Sequence, residues 1–283
     1  MGEPVLVTLG HGYSAARLAA SLPPPWRVAG TTRSAERAEA MRAAGVDAID
    51  WADAAAVGAA IRGASHVLVS LPAEAWGDPV LARHRGDLEA ARDLAWLGYL
   101  STTGVYGDRQ GGWVDETSAL VPVNARSRWR VSAETEWAST GLPLHRFRLA
   151  GIYGPGRSAL DRLRGGRAQR IVKAGQVFSR IHVADIAAAL AASMARPAPG
   201  AVFNLADDEP APPQDVIAFA AELLGLPVPP EIPFDEAALS PMARSFFGES
   251  KRVSNRRVKA ELGLALAYPD YRAGLRAILA AGG

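Results

Sequence analysis

The sequence contains no cysteine, and its only lysines are Lys173, Lys251 and Lys259, against a total of 31 basic residues. The first absence excludes disulfides and thiolate metal sites, so no metal is expected, and it fits a cytoplasmic protein. The second matters wherever a lysine would act chemically, because arginine stays protonated and cannot take over an acid–base role. No run of roughly eighteen apolar residues occurs, so no membrane partner is expected. Met1–Pro4 leads straight into the strand-like PVLVTLG without a signal-peptide pattern. Charge of one sign is lacking too. A net charge of +2 gives the whole-protein field no case for nucleic acid.

What is present is apolar content of 49% in 283 residues, enough for one large domain or a main domain carrying a smaller one. Short β-type runs alternate with alanine-rich helical stretches. The runs are VLVTL (5–9), WRVAG (26–30), DAI (47–49), HVLVS (66–70) and LGYLS (97–101), then LHRFRL (144–149) and VFNLA (202–206). Between the early ones lie SAARLAASL, SAERAEAMRAAG, DAAAVGAAIRG and a long segment over 78–95. Strict alternation of strand and helix means βαβ units and a parallel sheet with both faces covered. Gly45 and Gly63 stand where helices should end. The alternation fades after Tyr153. GPGRSALDRLRGGRAQR reads as loop, and from Pro213 the pattern is helical with a proline-rich break at LPVPPEIP. The expected division is a main α/β domain over 1–155, completed by 171–207, and a smaller, mostly helical lobe over 208–283 with 156–170.

After the first strand comes Gly10-His11-Gly12-Tyr13-Ser14-Ala15, a G-x-G-x-x-A pattern that opens a helix. The first glycine permits a tight turn and the second lets the backbone approach a pyrophosphate. The small third residue lets helix and strand pack closely. Between a strand and a helix, this pattern points to a dinucleotide, and His11 reads as a loop residue near phosphate. The second strand ends GTTRS. An acid here would hold a ribose 2′-hydroxyl; instead Thr32 is followed by Arg33, which suits a 2′-phosphate. NADP is therefore the expected cofactor, with NAD the alternative. Asp50 stands where it could accept from the adenine amine or cap the next helix. Ser70, Leu71 and Pro72 close the fourth strand where the cofactor should cross the sheet.

With these features the chain resembles the extended and atypical short-chain dehydrogenase/reductases, which include NAD-dependent epimerases and dehydratases of sugar nucleotides. The likeness runs through GHGYSA, STTGVYG (101–107), FRLAGIYGPG (147–156), RIHVADIAAAL (180–190), VFNLADDEP (202–210) and KRVSNRRVKAELG (251–263). It implies a Rossmann-type, doubly wound sheet of about seven parallel strands with a split C-terminal substrate lobe. It also implies an active site of Ser/Thr, Tyr and Lys. Thr102, beside Ser101 and Thr103, falls at the hydroxyl position.

The departure is at the other two. Counting back from Glu134, the family's helix glutamate, gives Arg130 where lysine should stand and Arg126 where tyrosine should stand, and no Y-x-x-x-K occurs in the chain. Arginine cannot donate the proton a tyrosine donates. Trp129, Ala133 and Trp137 recur every four residues as an apolar stripe, which reads as core or as the homodimer face that this helix forms in the family.

Two readings stay open. One is an NADP-dependent oxidoreductase or epimerase-like enzyme with a remodelled site. Thr102 with Tyr106, Tyr153 or a water would handle the proton, and Thr103 would stand with Tyr106 and Tyr153 against the substrate. Arg126, Arg157 and the cluster Arg162/Arg164/Arg167/Arg170 would grip a small anionic or sugar-nucleotide-like substrate. The other is a non-catalytic dinucleotide-binding sensor.

Overall fold

The valines and leucines of VLVTL and HVLV are buried almost without interruption, as strands covered by helices on both faces must be. The computed structural model describes residues 3–282. Along the chain run β1 (Val5–Leu9), α1 (Tyr13–Ala19), β2 (Arg27–Thr32), α2 (Ala35–Ala43), β3 (Asp47–Asp50), α3 (Ala54–Arg62), β4 (His66–Val69), α4 (Pro79–Glu89) and β5 (Trp96–Thr102). A 3-10 turn (Thr103–Tyr106) leads to β6 (Trp113–Val114), α5 (Ala125–Ala138), β7 (Leu144–Leu149), β8 (Gly151–Tyr153), α6 (Ala159–Arg164), β9 (Arg170–Val172), β10 (Arg180–His182) and α7 (Val183–Ala195). The chain ends with β11 (Val202–Leu205), α8 (Pro213–Leu223), β12 (Glu231–Pro233), α9 (Pro241–Phe246), β13 (Arg252–Val253), α10 (Arg256–Leu262) and α11 (Tyr271–Ala280).

Seven strands form one parallel sheet in the order β11-β7-β5-β4-β1-β2-β3. Register is fixed by pairs such as Val7 with Ala29 and with Val67, and Leu68 with Gly98. β1 lies between β2 and β4, so the strand order reverses there. The crevice beyond the carboxyl ends of β1 and β4 is where such sheets bind ligands. No helix among the described residues is long and apolar enough to cross a membrane.

Two compact units divide the chain. One takes the residues up to Thr102 with Arg128–Arg148 and Ile186–Phe203; the other takes Thr103–Ser127, Leu149–Asp185 and the residues from Asn204 on. The first unit's core joins Val7, Leu9, Ile61, Val67 and Tyr99 to Ala133 and Trp137 of α5. Trp129 packs half-buried against the same cluster, so the tryptophan stripe serves its own core and carries no argument for a dimer face. The second unit's core gathers Tyr153, Leu160, Ile217, Tyr271 and Leu275, with a satellite cluster around Ile171, Ala237 and Phe247.

One stretch read as loop is not. Residues 154–170 contain α6, because Ser158 and Asp161 form a reciprocal capping box and Leu160 is fully buried. The break at LPVPPEIP likewise ends in β12, whose Ile232 pairs with Ile171 of β9. Of the two helix-ending glycines, Gly45 has φ of +77° just past α2, whereas Gly63 caps α3 at a right-handed φ of −92°.

Candidate dinucleotide cleft and helix α5

The glycine loop after β1 is shaped by close backbone approach. Gly10 has φ of +88°, and a Cβ there would lie 2.9 Å from Leu71 Cδ2, so only glycine fits. Its amide donates to Thr31 Oγ1 at 2.8 Å, and Ser70 Oγ donates to its carbonyl. At Gly12 an added Cβ would meet nothing within 4 Å. That is open space a ligand can take, and a branched side chain would fill it.

A cleft of about 230 Å³ opens there. It brings together the predicted Gly10, His11, Gly12, Thr32 and Arg33 with Ser70, Leu71 and Pro72. Tyr13, Ser14, Ala15 and Asp50 are not among its lining residues. Ser14 and Ala15 are buried at the start of α1, and Asp50 Oδ1 accepts from the Ala52 amide at 2.9 Å. Five further lining residues were missed in the sequence: Thr31, Arg37, Trp51, Glu74 and Pro79. Arg37 could have been found. It stands four residues after Arg33, in the first turn of α2, and Ser34 caps that helix by accepting from the Arg37 amide. Glu74 Oε2 accepts from Trp76 Nε1 at 2.8 Å. Burial lowers the pKa of His11 below the ordinary histidine value, so its ring is neutral near pH 7. Its Nδ1 bonds Thr8 Oγ1 at 2.8 Å. The cleft's positive charge therefore comes from its two arginines.

On α5, Arg126 and Arg130 have different partners. Arg130 Nη1 donates to Tyr99 Oη at 2.7 Å and to the Leu71 carbonyl at 3.1 Å. Its guanidinium thus braces a wall residue of the cleft. Tyr99 is fully buried, and burial raises its pKa, so it is no proton donor of ordinary strength. Asp78 caps α4 with Oδ1 accepting from the Val80 and Leu81 amides at 2.9 and 3.2 Å. Burial raises its pKa, with Arg130 opposing. Thr102 ends β5 half-buried. Beside it Ser101 Oγ donates to Glu134 Oε1 at 2.5 Å, and Glu134 is ion-paired with Arg148 at 2.7 Å, all three nearly buried.

The second unit holds the remaining candidates. Arg126 Nη2 donates to Ser245 Oγ at 3.1 Å and stands 5.8 Å over the Phe246 ring, so its partners are on α9. Tyr106 is fully buried and donates to Asn204 Oδ1 at 2.7 Å. Tyr153 donates to the Asp270 carbonyl at 3.2 Å, and burial raises its pKa. Thr103 is buried, while Arg157 lies exposed in a tight turn bridged to Gly154. Within the arginine cluster Arg170 is ion-paired with Glu231 at 3.0 Å.

No family model matches the chain. It is 28% identical to protein YeeZ of Escherichia coli, across 93% of this chain and 95% of that one. Its fold matches a conserved protein of unknown function from Silicibacter pomeroyi with a TM-score of 0.91 at 55% identity, covering 98% and 99% of the two chains. A Methylobacillus flagellatus structure, described as a candidate NAD-dependent epimerase/dehydratase, matches with a TM-score of 0.77 at 25% identity, covering 99% and 98%.

Proposed function

We propose that this chain, which belongs to the extended short-chain dehydrogenase/reductases of the NAD-dependent epimerase/dehydratase type, binds NADP(H) and acts as an oxidoreductase or epimerase-like enzyme on a small anionic substrate. The observation that carries the cofactor is the pairing of Arg33 and Arg37 with the glycine loop in one cleft, with no acid at the end of β2. Two guanidinium groups suit a 2′-phosphate bidentately. Gly10 and Gly12 would take the pyrophosphate, and the bound dinucleotide would supply hydride exchange. Thr102 would orient the substrate oxygen; Arg126 and Arg157 would draw the anion. The proton would then pass through water, since Arg126, at the position where the tyrosine is expected, cannot donate it. The working compartment would be the cytoplasm.

A second reading is favoured by one observation. Arg130, at the lysine's position, is bonded to Tyr99 and Leu71 within the protein. A scaffold that keeps the cofactor cleft and gives up the acid–base pair is suited to sensing NADP(H) without turnover.

Calorimetry separates cofactor choice from turnover. Charge-assisted hydrogen bonds contribute roughly 1.5–3 kcal/mol each. Arg33→Ala or Arg37→Ala should weaken NADPH by roughly ten- to a hundred-fold and leave NADH nearly unchanged. Equal weakening of both cofactors would rule these arginines out as readers of a 2′-phosphate. NADPH consumption over a panel of anionic carbonyl compounds then decides between enzyme and sensor.

A further inference from the structure

Trp51 lines the cleft, half-buried and packed against the first unit's core, and three costly local arrangements converge on its indole. Its backbone is locked first: the Trp51 amide donates to the Thr32 carbonyl at 3.0 Å, which fixes residue 51 beside the end of β2 and hence beside Arg33. The ring is then set by α4. The Arg83 guanidinium carbon stands 5.0 Å from the indole centroid, and the His84 imidazole meets the same indole edge-on, centroids 5.5 Å apart at 65°. Consecutive residues on a regular helix point about 100° apart, so both should not reach one ring. They do because α4 breaks its helical geometry at His84, with φ of −133° and ψ of 17°. His84 is 1% exposed, its Nδ1 bonds Asp87 Oδ2 at 2.9 Å, and its buried Nε2 has no hydrogen-bond partner. Asp87 in turn is ion-paired with Arg62 of α3. That carboxylate passes so close to α3 that a Cβ on Gly58 would lie 2.6 Å from Asp87 Oδ2. A glycine inside a helix, a kink in its neighbour and a half-satisfied buried imidazole are each unfavourable alone. Together they hold one aromatic ring at the wall of the cleft.

We propose that Trp51 is the platform on which the purine base of a 2′-phosphorylated adenosine stacks, and that His84 and Asp87 are positioning residues for it. The inference rests on the cleft being a dinucleotide site. It adds that affinity at the adenosine end depends on an indole held from the helix beneath. With Arg33 and Arg37 taking the phosphate, the base of the same nucleotide falls next to residue 51. A flat purine gains most from a flat, immobilised aromatic ring.

The test uses calorimetry with three probes: NADPH, 2′,5′-ADP and nicotinamide mononucleotide. Trp51→Ala should weaken NADPH and 2′,5′-ADP roughly ten- to a hundred-fold, the range of base–aromatic stacking, and leave the mononucleotide unchanged. Trp51→Phe keeps a ring and should recover most of the loss. His84→Ala should weaken 2′,5′-ADP several-fold and diminish the near-ultraviolet circular dichroism change that the ligand induces. Asp87→Asn, which can still accept from Nδ1, should stay near wild type, and Asp87→Leu should mimic His84→Ala. If wild type binds 2′,5′-ADP and Trp51→Ala and Trp51→Phe bind it equally well, the platform is refuted while the dinucleotide reading stands. If wild type binds neither NADPH nor 2′,5′-ADP, the dinucleotide reading falls and takes the platform with it. Asp87→Leu with wild-type affinity and dichroism would remove the positioning role alone.

Discussion

The cleft of the first unit and the polar interior of the second use the same residue types in opposite ways. In the first, glycines hold the backbone back from open space and Arg33 and Arg37 line what remains. In the second, residues of equally recognisable motifs turn toward one another. Tyr106 bonds Asn204, Tyr153 bonds the Asp270 carbonyl, and Asp185 accepts from the Ala267 and Tyr268 amides. Lys259 pairs with Asp208, and Lys251 with Glu249. Contacts of this kind fasten the fold whether or not a reaction is attached. STTGVYG and RIHVADIAAAL mark a scaffold, whereas the cleft leaves room for a ligand.

The largest effect should come where the first unit itself uses a fastener. Glu134 and Arg148 are 2% and 4% exposed and form a close ion pair, with Ser101 donating to the same carboxylate. Glu134→Ala leaves Arg148 as an uncompensated buried charge, which costs roughly 3–5 kcal/mol. Urea unfolding measures it directly. A loss below about 1 kcal/mol would mean the pair is solvated and behaves as a surface pair.

The second unit should break in the other direction. Asp207 is 1% exposed, with only the Glu209 and Arg180 backbone amides and the Arg180 charge nearby to offset its burial. Burial raises its pKa to about 8, with the nearby charge of Arg180 opposing. The folded pKa lies above the unfolded value of about 3.9, so folding favours the protonated form. No penalty exists below pH ~4; the penalty grows as pH rises from there and is complete above about pH 8. Asp207→Asn keeps the shape and removes the titration. It should leave stability unchanged at pH 4 and raise it at pH 8 by roughly 5 kcal/mol. Thermal unfolding at the two pH values reads this, and an equal effect at both would show that Asp207 does not titrate on folding.

The same contrast explains what could be read from the sequence. VLVTL and the strand at 66–69 are visible because a buried parallel strand is a nearly continuous apolar run bounded by turns. LHRFRL, by contrast, carries buried His145 and Arg148 and shows only through its Leu and Phe positions. The glycine loop is visible because its chemistry is local, and Arg33 because it follows the end of β2. Strands of two or three residues, such as β6 and β13, carry too little pattern for any periodicity to register. Trp51 and Glu74 reach the cleft through turns after β3 and β4, where no spacing rule marks them. The partners of Arg126 and Arg130 were hidden for another reason. Two residues four apart share a face of the helix, yet one guanidinium reaches Tyr99, far back in the sequence, and the other Ser245, far ahead.

That split supplies the smallest and sharpest prediction. Arg130→Ala strips the donor from the buried Tyr99 hydroxyl and from the Leu71 carbonyl. Leaving a buried hydroxyl short of a partner costs roughly 1–3 kcal/mol. The loss of Leu71's brace should also weaken NADPH, because Leu71 lines the cleft. Arg126 is exposed, and its bond to Ser245 and its stack on Phe246 are both open to water. Exposed cation–π and hydrogen-bond contacts of this kind contribute only about 0.5–1 kcal/mol. Arg126→Ala should therefore lower stability by less than about 1 kcal/mol and leave NADPH affinity within roughly a factor of two. Paired urea and calorimetric titrations of the two variants make the comparison. If Arg126→Ala weakens NADPH as much as Arg130→Ala does, both arginines serve the cofactor. The assignment of Arg126 to substrate or to α9 would then have to be withdrawn.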